Sequence, residues 1–164
     1  MCSLKEQLLY SSLHDFFTKD KCSNMAIMLP IISGENEVSL RLLDWFVTNY
    51  TKEKMTRYSV TKNNQFIVYF DYKSQLKAYS KKLFDPFCRR NRIIFQYGRD
   101  KSICTTVGQL NFFKWAIENK VIQYIRTFLK DIETNMNYHE KNKKQITNIK
   151  QMNKHEVRIV LTFN

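Results

Sequence analysis

The chain has 164 residues, 43% of them apolar and 14% aromatic, and carries a formal charge of +12. That length suits one domain able to bury roughly 70% of the surface its unfolded chain exposes, and the aromatic content excludes intrinsic disorder despite the charge. Three Gly and two Pro exclude collagen-like, Gly/Ser-linker and Pro-rich classes and leave little from which to build a glycine-rich phosphate loop.

Ser3 followed by Glu6 has capping-box spacing and predicts a first helix, continued by Leu9, Leu13 and Phe16. Residues 24–32 are apolar but contain Pro30, which predicts a short edge strand or extended connection. Gly34, Glu35 and Asn36 predict a turn. Ser39 then caps a second helix, whose Leu42, Leu43, Phe46 and Tyr50 share a face that Trp45 extends. From Arg57 the period becomes two. Tyr58 and Val60, a turn at Asn63 and Asn64, then Phe66, Val68, Phe70 and Tyr72 interleaved with Ile67 and Tyr69 predict a hairpin whose second strand is covered on both faces. Residues 73–83 predict a short helix that ends ahead of Pro86.

Residues 92–97 and 102–105 predict a second hairpin, bending at Gly98, Arg99 and Asp100. Thr106 and Gln109 repeat the capping-box spacing and open a helical region. Phe112, Trp115, Ala116, Val121, Tyr124, Ile125 and Phe128 keep its period, with a break at Asn119 and Lys120. The polar stretch 139–154, with Lys141, Lys143, Lys144, Lys150 and Lys154, predicts a mobile linker or frayed helix end. Val157, Ile159, Leu161 and Phe163 alternate with Arg158, Val160 and Thr162 and predict a last strand that rejoins the sheet. The expected fold class is α+β: a single domain over residues 1–164, with an antiparallel sheet of about five strands packed with N-terminal and C-terminal helices.

The four cysteines, Cys2, Cys22, Cys88 and Cys104, show no CxxC spacing and are expected as small buried hydrophobes in a reducing compartment. The N-terminus lacks the unbroken apolar run of a signal peptide, and no stretch approaches the roughly 18 apolar residues of a membrane span. An intracellular protein without a membrane partner is expected.

Charge is placed unevenly. Residues 1–50 hold four basic and six acidic side chains, residues 51–104 thirteen and four, and residues 105–164 ten and five. The densest cations are Lys73, Lys77, Lys81, Lys82, Arg89, Arg90 and Arg92, interleaved with Tyr72, Tyr79, Phe84 and Phe87. If residues 76–83 are helical, Lys73, Lys77 and Lys81 stack at i, i+4 and i+8, a like-charge stripe that destabilises the helix unless a polyanion faces it. Phosphate is the natural polyanion, and five phosphate contacts give a salt slope of roughly −4 to −5 in log K against log salt. The competing reading is a solvated Lys-rich face, since nineteen Lys, fourteen Asn and fourteen Ile are what AT-rich codons supply. The arginines weigh more, because guanidinium forks fit phosphate. The four aromatics are read first as core and second as stacking platforms for unpaired bases.

Catalytic signatures are sparse. His14, His139 and His155 lie far apart with no metal-ligand spacing, and the chain contains no GxGxxG, GxxxxGK[ST] or GxSxG motif. Asp71, Asp85 and Asp100 could serve metal-dependent phosphoryl chemistry only by converging in space. The expectation is a non-enzymatic protein without a cofactor. A helix-turn-helix reading of the region after Thr106, with Gln123, Arg126, Thr127 and Lys130 facing DNA, is the weaker way to bind nucleic acid.

Three blocks, SLRLLDWFVTNY at 39–50, YKSQLKAYSKKLFDPFCRR at 72–90 and TTVGQLNFFKWAIENKVIQYI at 105–125, resemble an uncharacterised protein family of giant, mimivirus-like nucleocytoplasmic DNA viruses. DPFCRR and GQLNFFKWAI are the distinctive strings. The resemblance carries no catalytic residue. It implies a viral protein in the host cytoplasm, at the virus factory, or in the virion.

Two functions follow as expectations. The first is nucleic-acid binding with little sequence selectivity, in which Lys73, Lys77, Lys81, Lys82, Arg89, Arg90 and Arg92 contact phosphates. The alternative is a structural or scaffolding component in which the same cations meet an acidic viral protein and exposed aromatics form homo-oligomer contacts.

Overall fold

Ser3 opens helix α1 (Leu4–Thr18) as the spacing requires: its hydroxyl accepts the Glu6 amide at 3.2 Å, and the Glu6 carboxylate accepts the Ser3 amide at 3.2 Å. Two amides orphaned by the helix start are thereby satisfied. The computed structural model describes residues 3–160, with side chains through residue 148. Leu13 and Phe17 of α1 are buried, and a tight turn with Asp20, Lys21 and Cys22 all at positive φ reverses the chain.

The segment expected as an edge strand is instead helix α2 (Ser23–Ser33). Met25, Met28 and Ile31 are buried at steps of three, a helical spacing that outweighs Pro30 because the proline sits in the second half of the helix. Its missing N–H would have bonded the carbonyl of Ala26, an exposed residue that water can serve. The Pro30 carbonyl accepts the Glu35 and Asn36 amides, and Gly34, at φ 80°, ends the helix in the left-handed conformation. Ser39 caps α3 (Leu40–Trp45) by accepting the Leu42 amide. The chain continues through a π-helical turn at Phe46–Tyr50 into α4 (Thr51–Lys54).

The first hairpin pairs β1 (Arg57–Thr61) with β2 (Asn64–Ile67), and the second pairs β3 (Ile93–Gly98) with β4 (Lys101–Thr105). These form two separate two-stranded antiparallel sheets, not one sheet of about five strands; the α+β class holds. Residues 68–72, expected to continue the second strand of the first hairpin, instead begin helix α5 (Val68–Leu83). Val68 and Tyr72 are buried and Leu76 and Tyr79 half-buried, a stripe at helical spacing. Phe70, expected to be covered in a central strand, is 55% exposed.

Thr106 opens α6 (Val107–Glu118) by accepting the Gln109 amide at 3.1 Å. Lys120, at φ 55°, separates α6 from α7 (Val121–Thr127) at the expected break. Helix α8 (Leu129–Val160) follows and includes the Lys-rich stretch 139–154, so that segment is helical rather than a linker. Its first half is tied to the rest of the molecule. Trp45 Nε1–H donates to Asn135, Asn135 and His139 hydrogen-bond Glu53, and Arg41 pairs with Glu140. Residues 157–160 also belong to α8 and not to a strand; the remainder of that expected strand, including Leu161 and Phe163, lies outside the described residues.

The core is aromatic at its centre. Tyr72, Phe84, Phe112 and Trp115 touch in every pairing, with ring centroids 5.5 to 6.4 Å apart. Trp115 Nε1–H donates to Asp71 Oδ1 at 2.6 Å, satisfying the one polar atom that so large a buried ring carries. Asp71, a candidate for metal chemistry from sequence, therefore serves the core.

Candidate nucleic-acid interface

Seven cations were expected to act together. All seven are exposed, but the backbone of residues 80–92 sends them to different surfaces. Ser80 has φ 62° and ψ 166°, a conformation that glycine alone adopts readily. It interrupts the last turn of α5, so the i, i+4, i+8 spacing of Lys73, Lys77 and Lys81 does not continue as one helical stripe.

Past Leu83 the chain forms a loop, residues 84–92, clamped to the first turns of α6. Phe84 is buried as its anchor. The Asp85 amide donates to the Gly108 carbonyl at 3.3 Å, Gln109 Nε2 donates to the Pro86 carbonyl at 2.9 Å, and Asn111 Nδ2 donates to the Leu83 carbonyl at 2.8 Å. Gln109 thus spends its side chain on the loop and on Thr105 instead of closing the second capping box. Within the loop, Asp85 Oδ1 accepts the Phe87 amide and the Asp85 carbonyl accepts the Cys88 amide. A loop held by this many backbone bonds is a defined platform for whatever its side chains contact.

Arg89 and Arg92 line a groove of about 330 Å³ with Phe87, Cys104 and Thr106. Arg90 and Lys82 border a separate cavity of about 470 Å³. Lys82 is engaged by Glu6, at 2.9 Å. Lys73 and Lys81 line a third cleft, of about 360 Å³, together with Asp44 and Asp85. Lys77 borders none of the three. Among the described residues, Lys73, Lys77, Lys81, Arg89, Arg90 and Arg92 have no carboxylate within 4 Å. The structure therefore carries the three arginines on one loop but divides them between two openings, Arg89 and Arg92 at the groove and Arg90 with Lys82 at the cavity, and does not bring all seven cations into one patch.

The third cleft suits a polyanion poorly. Burial pushes the Asp44 carboxyl up, the charge of Asp85 pushes it further, and Lys81 pulls it back down. Tyr72 is pushed up to about 12 by burial, then by Asp44 and Asp85. Lys81 is thus facing carboxylates of its own chain. A carboxyl raised on folding holds its proton more tightly in the native state. The stability it contributes is present at low pH and is lost as pH rises through the ordinary carboxylate range to the folded value. Asp44→Asn is accordingly expected to raise the thermal midpoint at pH 7, with the gain shrinking as pH falls through the raised folded value and gone below about 4, as thermal melts across pH would record.

Of the interleaved aromatics, Tyr72 and Phe84 are core and Tyr79 is stacked on Phe84 at 6.3 Å, as their first reading expected. Phe87 is 41% exposed, beside Arg89 and Arg92. Asp85 and Asp100 do not converge with Asp71, and among the described residues no three His, Cys, Asp or Glu side chains gather as metal ligands. Cys22, Cys88 and Cys104 are free; the first two are half-buried and Cys104 is exposed, not buried as expected, while Cys2 lies outside the described residues. No helix among the described residues is long and apolar enough to cross a membrane. Gln123, Arg126, Thr127 and Lys130 are exposed, while Val121, Ile122 and Ile125 beside them are core.

Sequence reasoning found the arginines but missed what frames them: Glu6, Gln7 and Tyr10 from α1, and Gly108 from α6. Gly108 carried a signal. A glycine in the first turn of an otherwise apolar helix is unfavourable unless another backbone comes close, and a Cβ there would lie 2.9 Å from the Lys82 carbonyl oxygen.

The comparisons agree with the expected viral kinship. The chain is 42% identical over 149 residues to "Uncharacterized protein L507" of Acanthamoeba polyphaga mimivirus, an alignment that covers 86% of this chain and 57% of that relative. The chain thus spans little more than half the length of the relative it matches. No solved structure matches it. A family model described as a family of unknown function, DUF7197, matches residues 2–160, and the chain belongs to that family.

Proposed function

We propose that this chain binds nucleic acid through the phosphate backbone with little sequence selectivity, and that Arg89, Arg90 and Arg92 carry the binding. The observation that supports this most is the placement of three exposed guanidinium groups on one loop fastened to α6, none with a carboxylate within 4 Å among the described residues. Exposed guanidinium forks held on a fixed backbone suit phosphate oxygens. Lys82 borders the patch, Lys73 and Lys77 extend its field along α5, and Lys81 contributes least because Asp44 and Asp85 face it. The site of action proposed is the virus factory in the host cytoplasm or the virion, without enzymatic activity.

Three to five phosphate contacts give a slope of log K against log salt of roughly −2 to −5. Fluorescence anisotropy on nuclease-treated protein at several salt concentrations is expected to give a slope in this range. Arg89→Glu, Arg90→Glu and Arg92→Glu combined should remove most of the affinity and flatten the slope, while Arg126→Glu with Lys130→Glu leaves both unchanged. A wild-type trace that does not respond to nucleic acid at low salt overturns the reading. Self-association that survives nuclease treatment would then favour the scaffold role.

A further inference from the structure

The cavity beside Arg90 differs in character from the two other surfaces bordered by the basic stretch. Its walls are largely apolar, supplied by Tyr10 of α1, Leu83 at the end of α5 and Val107 at the start of α6, and at about 470 Å³ it is the largest of the three. Gln7 and Asn91 also line it, and their side-chain amides have no hydrogen-bond partner among the described residues. Tyr10 is fixed in place, with its ring edge-on to Phe95 at 6.1 Å and tilted against His14 at 6.5 Å. Glu6, the one carboxylate among the described residues of the lining, is committed: one oxygen takes the Ser3 amide and the other takes Lys82 Nζ. The cation left to address a ligand is Arg90. It stands next to Arg89 on the same loop, whose own side chain faces the neighbouring groove with Arg92.

From this arrangement we infer that the cavity accepts one unpaired base of a single-stranded nucleic acid, with the flanking phosphate on Arg90 and the strand continuing over Arg89 and Arg92; the inference rests on the phosphate-binding reading above and narrows it to single strands. A nucleobase is a flat apolar body with polar edges. It needs apolar walls, an aromatic ring and a few amides at the rim, and it arrives attached to an anion. The cavity offers each of these. A base within a duplex cannot enter, because its faces are covered by stacking and its edge by pairing, and extracting it is unfavourable by several kcal/mol. Base contacts of this sort tolerate any sequence, since every base has a π-face, which agrees with low selectivity.

The test uses the whole chain and three labelled probes of equal length: an oligothymidylate, the same backbone with abasic sites, and a duplex. Wild-type protein is expected to prefer the oligothymidylate over both others by about five- to a hundred-fold, the worth of one base on an aromatic platform. Gln7→Trp fills the cavity from an exposed position of α1 without touching the core. It should erase that preference while leaving affinity for the abasic strand and the duplex within about two-fold, the spread expected of a surface substitution. Its thermal midpoint, measured alongside, should match wild type. Equal binding of all three probes, or a preference that survives Gln7→Trp, overturns the base pocket and leaves the phosphate reading standing. Absence of binding to any probe at low salt overturns both.

Discussion

Phe84→Ala is expected to destabilise the protein by about 3–5 kcal/mol, the range for removing a fully buried phenyl ring from a close-packed core. Phe84 is 1% exposed and sits in the cluster with Tyr72, Phe112 and Trp115, while Tyr79 stacks on it from the α5 side. Rings on several sides leave few ways for neighbours to collapse into the void, so the cavity term adds to the lost transfer energy. The effect reaches the arginines because Phe84 is the first residue of their loop. Urea unfolding should show the midpoint falling with little change in slope. Nucleic-acid affinity, measured well below the unfolding transition, should also fall, because the loop has lost its apolar anchor. A loss under about 1 kcal/mol would mean that the ring is not held as the structure places it.

Local signals predicted the elements that local chemistry decides. Ser3 and Ser39 were readable as caps, the turns at Gly34 and Gly98 as chain reversals, and Asn119 with Lys120 as a helix break, because each depends on a side chain acting on nearby backbone. Two of the differences share one cause. Residues 66–72 are apolar at almost every position, so periods of 2 and 3.6 both fit, and tertiary packing decides between them. Tyr72 finds its place against Phe112 and Trp115 of α6, and the strand stops at Ile67. Residues 24–32 carry the same ambiguity, and a helix tolerates Pro30 there because the carbonyl its missing N–H would have served belongs to the exposed Ala26. Once these two segments are helical, no further strand among the described residues joins the two hairpins into a single sheet.

The candidate site was legible by composition but not by shape. Guanidinium groups at positions 89, 90 and 92 stand out in a chain whose other cations are mostly lysine. Whether neighbours in sequence are neighbours in space depended on Ser80, whose positive φ nothing in the local pattern foretells, and on carboxylates arriving from remote elements. Asp44 comes from α3 to face Lys81, and Glu6 comes from α1 to hold Lys82. Both lysines therefore face carboxylates of their own chain that a linear count of cations leaves out.

Gly108→Ala separates the loop's role in folding from its role in binding. The added Cβ would stand 2.9 Å from the Lys82 carbonyl oxygen, 3.4 Å from Cys88 Cβ and 3.5 Å from the Asp85 nitrogen. Two of these three are backbone atoms, which cannot swing aside as a side-chain tip could, so the 84–92 loop must move away from α6. Alanine is the better helix former by about 1 kcal/mol, but position 108 lies in the first turn, where that gain is smallest. Overpacking of this kind costs about 1–3 kcal/mol, so the clash wins and the net effect is destabilising. Moving the loop also lengthens the Asp85–Gly108 and Pro86–Gln109 hydrogen bonds and shifts Arg89, Arg90 and Arg92 together. Gly34→Ala is the matched comparison. Gly34 has open space around it but sits at φ 80°, so alanine there loses stability through backbone strain of roughly 1 kcal/mol without meeting any atom of the loop. Thermal melts should show both variants weakened, and anisotropy titrations at a temperature where each is folded should show affinity reduced for Gly108→Ala alone. Equal affinities for the two would mean that the arginines do not depend on the seating of the loop against α6.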